Sequence, residues 1–178
     1  MKQIIILFFL LISSISFAQN DILNDSISSR GKIIQKLKRE GLAPISFTNK
    51  SNGIKLQCYR VCEHFNDDIS ILNKELNEVE IETLFKSKNG TLKAIAFIIY
   101  AIRNNNQELV INKLNETIKQ DFTLFTKDCS DAIGTSSIAR FEYELLIKKN
   151  IFYKPNFKLR RKEKEKLELE LKKNELIK

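Results

Sequence analysis

The chain has 178 residues, a formal net charge of +8 and 43% hydrophobic residues, which suits one globular domain with a real core. Beyond its N-terminus, no apolar run comes near the roughly 20 residues that a membrane-spanning helix needs, so a multi-spanning membrane protein is excluded. Five Gly and two Pro provide few turn signals, and this scarcity favours helix over sheet.

The N-terminus has the layout of a cleavable signal peptide. Lys2 precedes an unbroken apolar run over residues 4–12, and small residues occupy the −3 and −1 positions of a cut after Ala18. The run is too short to anchor the chain in a bilayer. We therefore expect removal of residues 1–18 and an exported product, periplasmic or extracellular, that begins at Gln19.

A polar N-terminal arm and connector, residues 19–53, follow the signal peptide. Within this segment, Ile34 and Leu37 share one face of a short helix that is predicted to end at Gly41. Apolar residues at helical spacing then predict a helical domain over residues 54–153.

The centre of that domain is a helix predicted over residues 92–103 and capped by Thr91. Its stretch 94–102 is apolar all round, which indicates burial on most faces. Further amphipathic helices are predicted over residues 78–86, from Leu109 to about residue 121, and from Ile138 onward. Residues 122–137 are predicted to be irregular.

The C-terminal segment, residues 154–178, is predicted to be a charged helix or tail. Pairs such as Arg161 and Glu165 lie four residues apart, and this spacing supports a solvated helix. Arg160, Arg161 and Lys162 form a basic cluster that can contact an anionic membrane surface or glycan.

The run from Leu92 to Tyr100 resembles HEAT-type α-hairpin repeats. Lys93 stands at the Arg of the repeat, Ala96 at its buried small residue, and Ile99-Tyr100 at its Ala-Leu pair. Over about residues 54–150 the chain is similar to exported Bacteroidetes-type proteins with a HEAT-like core. The resemblance implies an all-α fold, either a small HEAT-like α-hairpin repeat or an irregular helical bundle, and binding of a protein or peptide.

Three Cys and one His are the residues that invite a chemical role. Cys58, Cys62 and His64 lie close in sequence, and Cys129 is far downstream. A metal site is not predicted, because on a helix His64 lies about 200° round from Cys62 and cannot join the pair. The thiols have two interpretations: burial as small apolar residues, or one disulfide that joins Cys129 to Cys58 or Cys62 in an oxidising compartment.

These patterns predict an exported helical binding or structural module of the cell envelope, with a protein partner and a monomeric state. No catalytic residue, cofactor or metal is predicted, and the chain is not expected to be an enzyme or to bind nucleic acid. Two alternatives stay open. One is a hydrolase or metal-dependent enzyme with a site near His64 and Cys129. The other is docking of the basic C-terminal segment to anionic lipid or glycan.

Overall fold

A computed structural model describes residues 21–42, 67–120, 123–127, 133–147 and 155–176. The predicted signal peptide, residues 1–18, lies outside the described residues. The fold is all-α, as the sequence predicts, with one added β-hairpin. The helices are α1 (Asp21–Asn24), α2 (Ser29–Glu40), α3 (67–75), α4 (Glu78–Phe85), α5 (Gly90–Arg103), α6 (Gln107–Ile118), α7 (Ile138–Ile147) and α8 (Arg161–Lys173).

The hairpin corrects the prediction that residues 122–137 are irregular. Strand β1 (Thr123–Lys127) pairs antiparallel with β2 (Ile133–Ser137), and Thr123 lies opposite Ser137. Each strand has five residues, but neither TLFTK nor IGTSS alternates apolar and polar residues, so the period of two that signals a strand is absent. The β-forming Thr, Phe and Ile residues of the segment were the available signal.

Helix α5 is the centre of the core. Its residues 94–99 and Ala101 are completely buried, which confirms the burial predicted from its uniformly apolar sequence. The helix packs against α2, α4, α7 and β1. Its N-cap is Asn89, whose side chain accepts a hydrogen bond from the Leu92 amide at 3.1 Å. The predicted cap, Thr91, is wrong, because Thr91 lies inside the first turn and is buried.

Hairpin and helix meet at the start of α5. A side chain at Gly90 would place its Cβ 1.9 Å from the carbonyl oxygen of Thr123. Only a residue without Cβ therefore allows β1 to approach this closely. This contact fixes the position of the hairpin against the central helix.

Ion pairs link the helices on one side of α5. Arg30 of α2 pairs with Glu80 of α4 at 3.1 Å. Glu82 of α4 pairs with Lys113 of α6 at 3.2 Å. These ion pairs link α4 to both α2 and α6, and α7 packs on both α5 and α6.

Arg103 joins three helices at the end of α5. Its guanidinium donates to the Asn73 side chain at 3.2 Å, to the Leu76 carbonyl at 2.7 Å and to Glu78 at 3.0 Å. The side chain also donates to the Asn73 carbonyl. Because carbonyls at a helix C-terminus have no partner inside the helix, Arg103 satisfies the end of α3 and holds the start of α4 beside it.

The core reaches beyond the predicted 54–153 domain on both sides. Ile34 and Leu37 of α2 and Leu167 and Leu171 of α8 belong to the same buried cluster. Helix α2 ends at residue 40 with Gly41 in a positive-φ conformation, which confirms the predicted helix and its stop. Helix α8 is thus held to the domain by a leucine stripe.

Candidate functional site

The outer sides of α4 and α6 form the candidate contact surface. Val79 is 56% exposed and Leu109 is 46% exposed, although both are large apolar residues. The Glu82–Lys113 pair connects the two helices. Val79 lies three residues before Glu82, and Leu109 lies four residues before Lys113, so each apolar residue is about one helical turn from the ion pair. We call Val79, Glu82, Leu109 and Lys113 the α4/α6 face.

The placement of Leu109 differs from the prediction. The sequence assigns Leu109 to the buried stripe of α6, but the neighbouring Val110 is completely buried instead. The stripe therefore runs through Val110, Ile111 and Leu114. Val110 lies four residues before Leu114, whereas Leu109 lies five residues before it and about 140° round the helix, so helical spacing already favours Val110 for the buried position.

An aromatic pair adjoins the Lys113 side chain of this face. The rings of Phe85 and Tyr100 meet edge to face with centroids 5.9 Å apart. The Lys113 ammonium lies 4.8 Å from the Phe85 ring centroid, within the range of a cation–π interaction. Burial raises the pKa of the Tyr100 phenol, and the nearby Lys113 opposes that rise. The Phe85 and Tyr100 rings thus help to position the Lys113 side chain of the α4/α6 face.

A groove of about 560 Å³ adjoins the face where α1 meets α4. Its lining is mixed, with Leu23 and Val79 as apolar residues and Glu78, Glu82 and Lys86 as charged ones. Both acids of the lining already form ion pairs with bases of other helices: Glu78 pairs with Arg103, and Glu82 pairs with Lys113. The groove therefore suits a peptide or protein segment better than a small polar ligand.

The predicted anionic-surface residues lie at the N-terminus of α8. Arg160, Arg161 and Lys162 are all exposed. Arg161 forms the predicted pair with Glu165 at 2.8 Å. The N-cap position, Arg160, has no side-chain capping bond, so the positive end of the helix dipole adds to the three cationic side chains.

A buried polar pair lies in the core between α5, α6 and α7. Glu142 is completely buried, and Lys93 is 9% exposed. The Lys93 ammonium donates to the Phe85 carbonyl at 2.6 Å and to the Gln120 side chain at 3.2 Å. Lys93 therefore ties the ends of α4 and α6 to the first turn of α5.

Unlike Lys93, Glu142 is not held in place by hydrogen bonds from the described residues. Within the described chain, neither of its carboxylate oxygens accepts a hydrogen bond. The nearby Thr117 hydroxyl donates instead to the Lys113 carbonyl at 3.2 Å. Burial raises the pKa of Glu142 well above its ordinary value, and Thr117 and Lys93 reduce this rise only in part. Burial likewise lowers the pKa of Lys93, against the attraction of Glu142.

Sequence reasoning missed Glu142, although a signal was present. Glu142 lies four residues after Ile138 and four before Leu146, on the apolar stripe of α7. An acid at such a position is a candidate buried carboxylate.

Cys58, Cys62, His64 and Cys129 lie outside the described residues, so the disulfide and the His64–Cys129 enzyme alternative stay predictions. Among the residues that the structure does describe, no three His, Cys, Asp or Glu side chains come together as a metal site. In the same parts of the chain, no helix has both the length and the apolar character to cross a bilayer.

Comparison of the chain with protein-family models, curated proteins and solved structures finds no match. The functional argument therefore depends on the surfaces described above.

Proposed function

We propose that the protein is an exported helical binding or structural module of the cell envelope that acts by contacting another protein. The observation that carries the proposal is the α4/α6 face, where Val79 and Leu109 are half exposed beside the Glu82–Lys113 pair. Protein interfaces combine an apolar centre with a polar rim in this way. The proposal assigns the chain no catalytic activity.

The helix arrangement supports a HEAT-like interpretation of the proposal. Helix α4 packs against α5, and α6 packs against α7. The Glu82–Lys113 pair then joins the first helices of these two units. Stacked helical pairs commonly bind other proteins on the extended concave surface that stacking creates, and we infer that α4 and α6 line such a surface.

Export is the second part of the proposal. It is supported by the charge, the apolar run and the small-residue cut over residues 1–18. An exported product would meet its partner in the periplasm or outside the cell.

Site-specific photo-crosslinking tests the protein contact. A photoreactive amino acid replaces Val79 or Leu109, and the matched control carries it at Ser70, an exposed residue of α3. After irradiation in an envelope extract, we expect one discrete adduct from positions 79 and 109 and none from position 70. Equal labelling at all three positions, or no adduct at any, would refute the α4/α6 face as the contact surface.

A second candidate function is docking of the C-terminal helix to an anionic lipid or glycan. It is favoured by the exposure of Arg160, Arg161 and Lys162 at an uncapped helix start. Replacement of the three residues by Ala should abolish retention on anionic vesicles or on an anionic polysaccharide resin. Unchanged retention on both would contradict this candidate.

A further inference from the structure

Helix α8 has an inner side that is firmly attached to the domain. Leu167 and Leu171 are buried in the main core. Between them, Glu168 accepts a hydrogen bond from the Tyr143 hydroxyl of α7 at 2.5 Å. Burial and this bond both raise the pKa of Tyr143, so the phenol remains the donor. The helix is therefore presented in one orientation.

The outer side of α8 carries a single large apolar residue among lysines. Leu169 is 70% exposed. At 100° per residue, Lys162, Lys166 and Lys173 lie within about 60° of Leu169. All three lysines are exposed. We call Leu169 with these three lysines the outer α8 face.

Three of the four acids of α8 lie outside the outer α8 face. Glu163, Glu168 and Glu170 lie about 100–120° away from Leu169, toward the flanks. Glu165 is the one acid of α8 that lies within about 60° of Leu169. Lys172 lies at about 60°, at the margin of the outer α8 face. The side of α8 that carries Leu169 thus has a net positive charge, whereas the positive and negative side chains of α8 as a whole are nearly equal in number.

We propose that the outer α8 face docks on the surface of an anionic lipid bilayer, with the helix lying flat and Leu169 inserted between headgroups. This inference rests on the second candidate function and names its ligand and its contact face. The lysines can extend their ammonium groups to lipid phosphates while their stems cover the apolar contact. A polysaccharide supplies phosphate-like or carboxylate charge but no apolar layer for Leu169, so lipid is the better complement.

A tryptophan scan on the mature chain, residues 19–178, tests insertion. The protein contains no Trp, so Leu169→Trp introduces a unique fluorophore. On vesicles that contain phosphatidylglycerol, we expect a blue shift of its emission and quenching by bromine-labelled lipid. Lys164→Trp, placed about 140° from the face, is the control and should show neither. On phosphatidylcholine vesicles neither variant should respond.

Charge variants separate the face from the basic cluster. Lys173→Ala should weaken partitioning into anionic vesicles about fivefold, since each lysine near such a surface contributes about that factor. The control Lys164→Ala removes the same charge from the opposite side and should change partitioning much less. Deletion of the helix is unsuitable as a test, because it would remove Leu167 and Leu171 from the core.

Two results would overturn the inference. If an Arg160→Ala, Arg161→Ala double variant, which leaves the outer α8 face intact, loses vesicle binding while Trp at position 169 never shifts, docking through the cluster stands and insertion of the face is wrong. If the protein binds a polysaccharide or an acidic protein but no anionic vesicle, lipid is the wrong ligand. Loss of binding at high salt together with the Trp shift at low salt would support the proposal.

Discussion

We expect Glu142→Met to raise the free energy of unfolding at neutral pH by about 1–3 kcal/mol, the usual cost of a buried polar group without a hydrogen bond. Glu142 is completely buried, and its oxygens accept no bond from the described residues. Met has a similar volume and no polar atom to satisfy. Its Lys93 neighbour keeps its bonds to Phe85 and Gln120, so the substitution leaves that ammonium hydrogen-bonded.

The effect should depend on pH with a defined sign. Because burial raises the pKa of Glu142 above its ordinary value of 4.5, folding favours the protonated carboxyl. The stability that this group contributes is full below about pH 4.5 and is lost as pH rises toward the elevated pKa. Glu142→Gln, which removes the charge but keeps the shape, should cancel this pH dependence with a smaller gain than Met.

Thermal unfolding followed by far-ultraviolet circular dichroism across a pH series measures both effects. For a protein of this length, each kcal/mol corresponds to about 2–4 °C in Tm. Loss of 3–5 kcal/mol in the Met variant is the typical result of breaking a needed buried ion pair. Such a loss would show that Lys93 and Glu142 stabilise the core as charges, and the reasoning above would be refuted.

Three further predictions concern other parts of the chain. Arg103→Met should destabilise the fold by about 2–3 kcal/mol through lost charged hydrogen bonds, whereas the exposed control Arg39→Met should stay within ~0.5 kcal/mol in denaturant titration; equal effects would contradict the role of Arg103. Gly90→Ala should lower Tm and weaken hydrogen-exchange protection of the hairpin, because its Cβ would collide with the Thr123 carbonyl; an unchanged Tm refutes the close approach. N-terminal sequencing of protein recovered from outside the cytoplasm should begin at Gln19, and an intact N-terminus would rule out the predicted cleavage.

Much of the helical architecture follows from local pattern. The uniformly apolar run in α5 predicts a central helix, and Gly41 predicts the end of α2, since both signals act within a few residues. The i, i+4 pair of Arg161 and Glu165 likewise forms as expected. Signals of this kind need no knowledge of distant contacts.

The errors arise where tertiary contacts choose between local options. The β-hairpin forms beside Gly90, a contact between distant parts of the sequence that no short window contains. The assignment of Leu109 to the buried stripe of α6 is an error of a different kind, because Val110 alone has helical spacing to Leu114 and is the residue that is buried. The polar position of Glu142 within the core depends on α5 and α6 lying next to α7.

The candidate surfaces were only partly accessible to sequence analysis. The basic cluster from Arg160 to Lys162 is visible in the sequence, because charge density is a local property. The outer α8 face additionally requires knowing that Leu169 points away while Leu167 and Leu171 point inward. Helical periodicity places apolar residues on both sides of α8, and only the packed structure shows which side is buried against the rest of the domain.

The three acids of α4 have a consequence for local opening. Glu78, Glu80 and Glu82 each bond a base from a different helix, whereas α4 buries only Ile81 and Leu84 completely. Salt weakens such partly buried pairs less than fully exposed ones, and it leaves apolar burial intact. As ionic strength rises, the attachment of α4 should therefore depend increasingly on Ile81 and Leu84, and brief openings that separate α4 from α2 and α6 should precede any loss of its packing on α5.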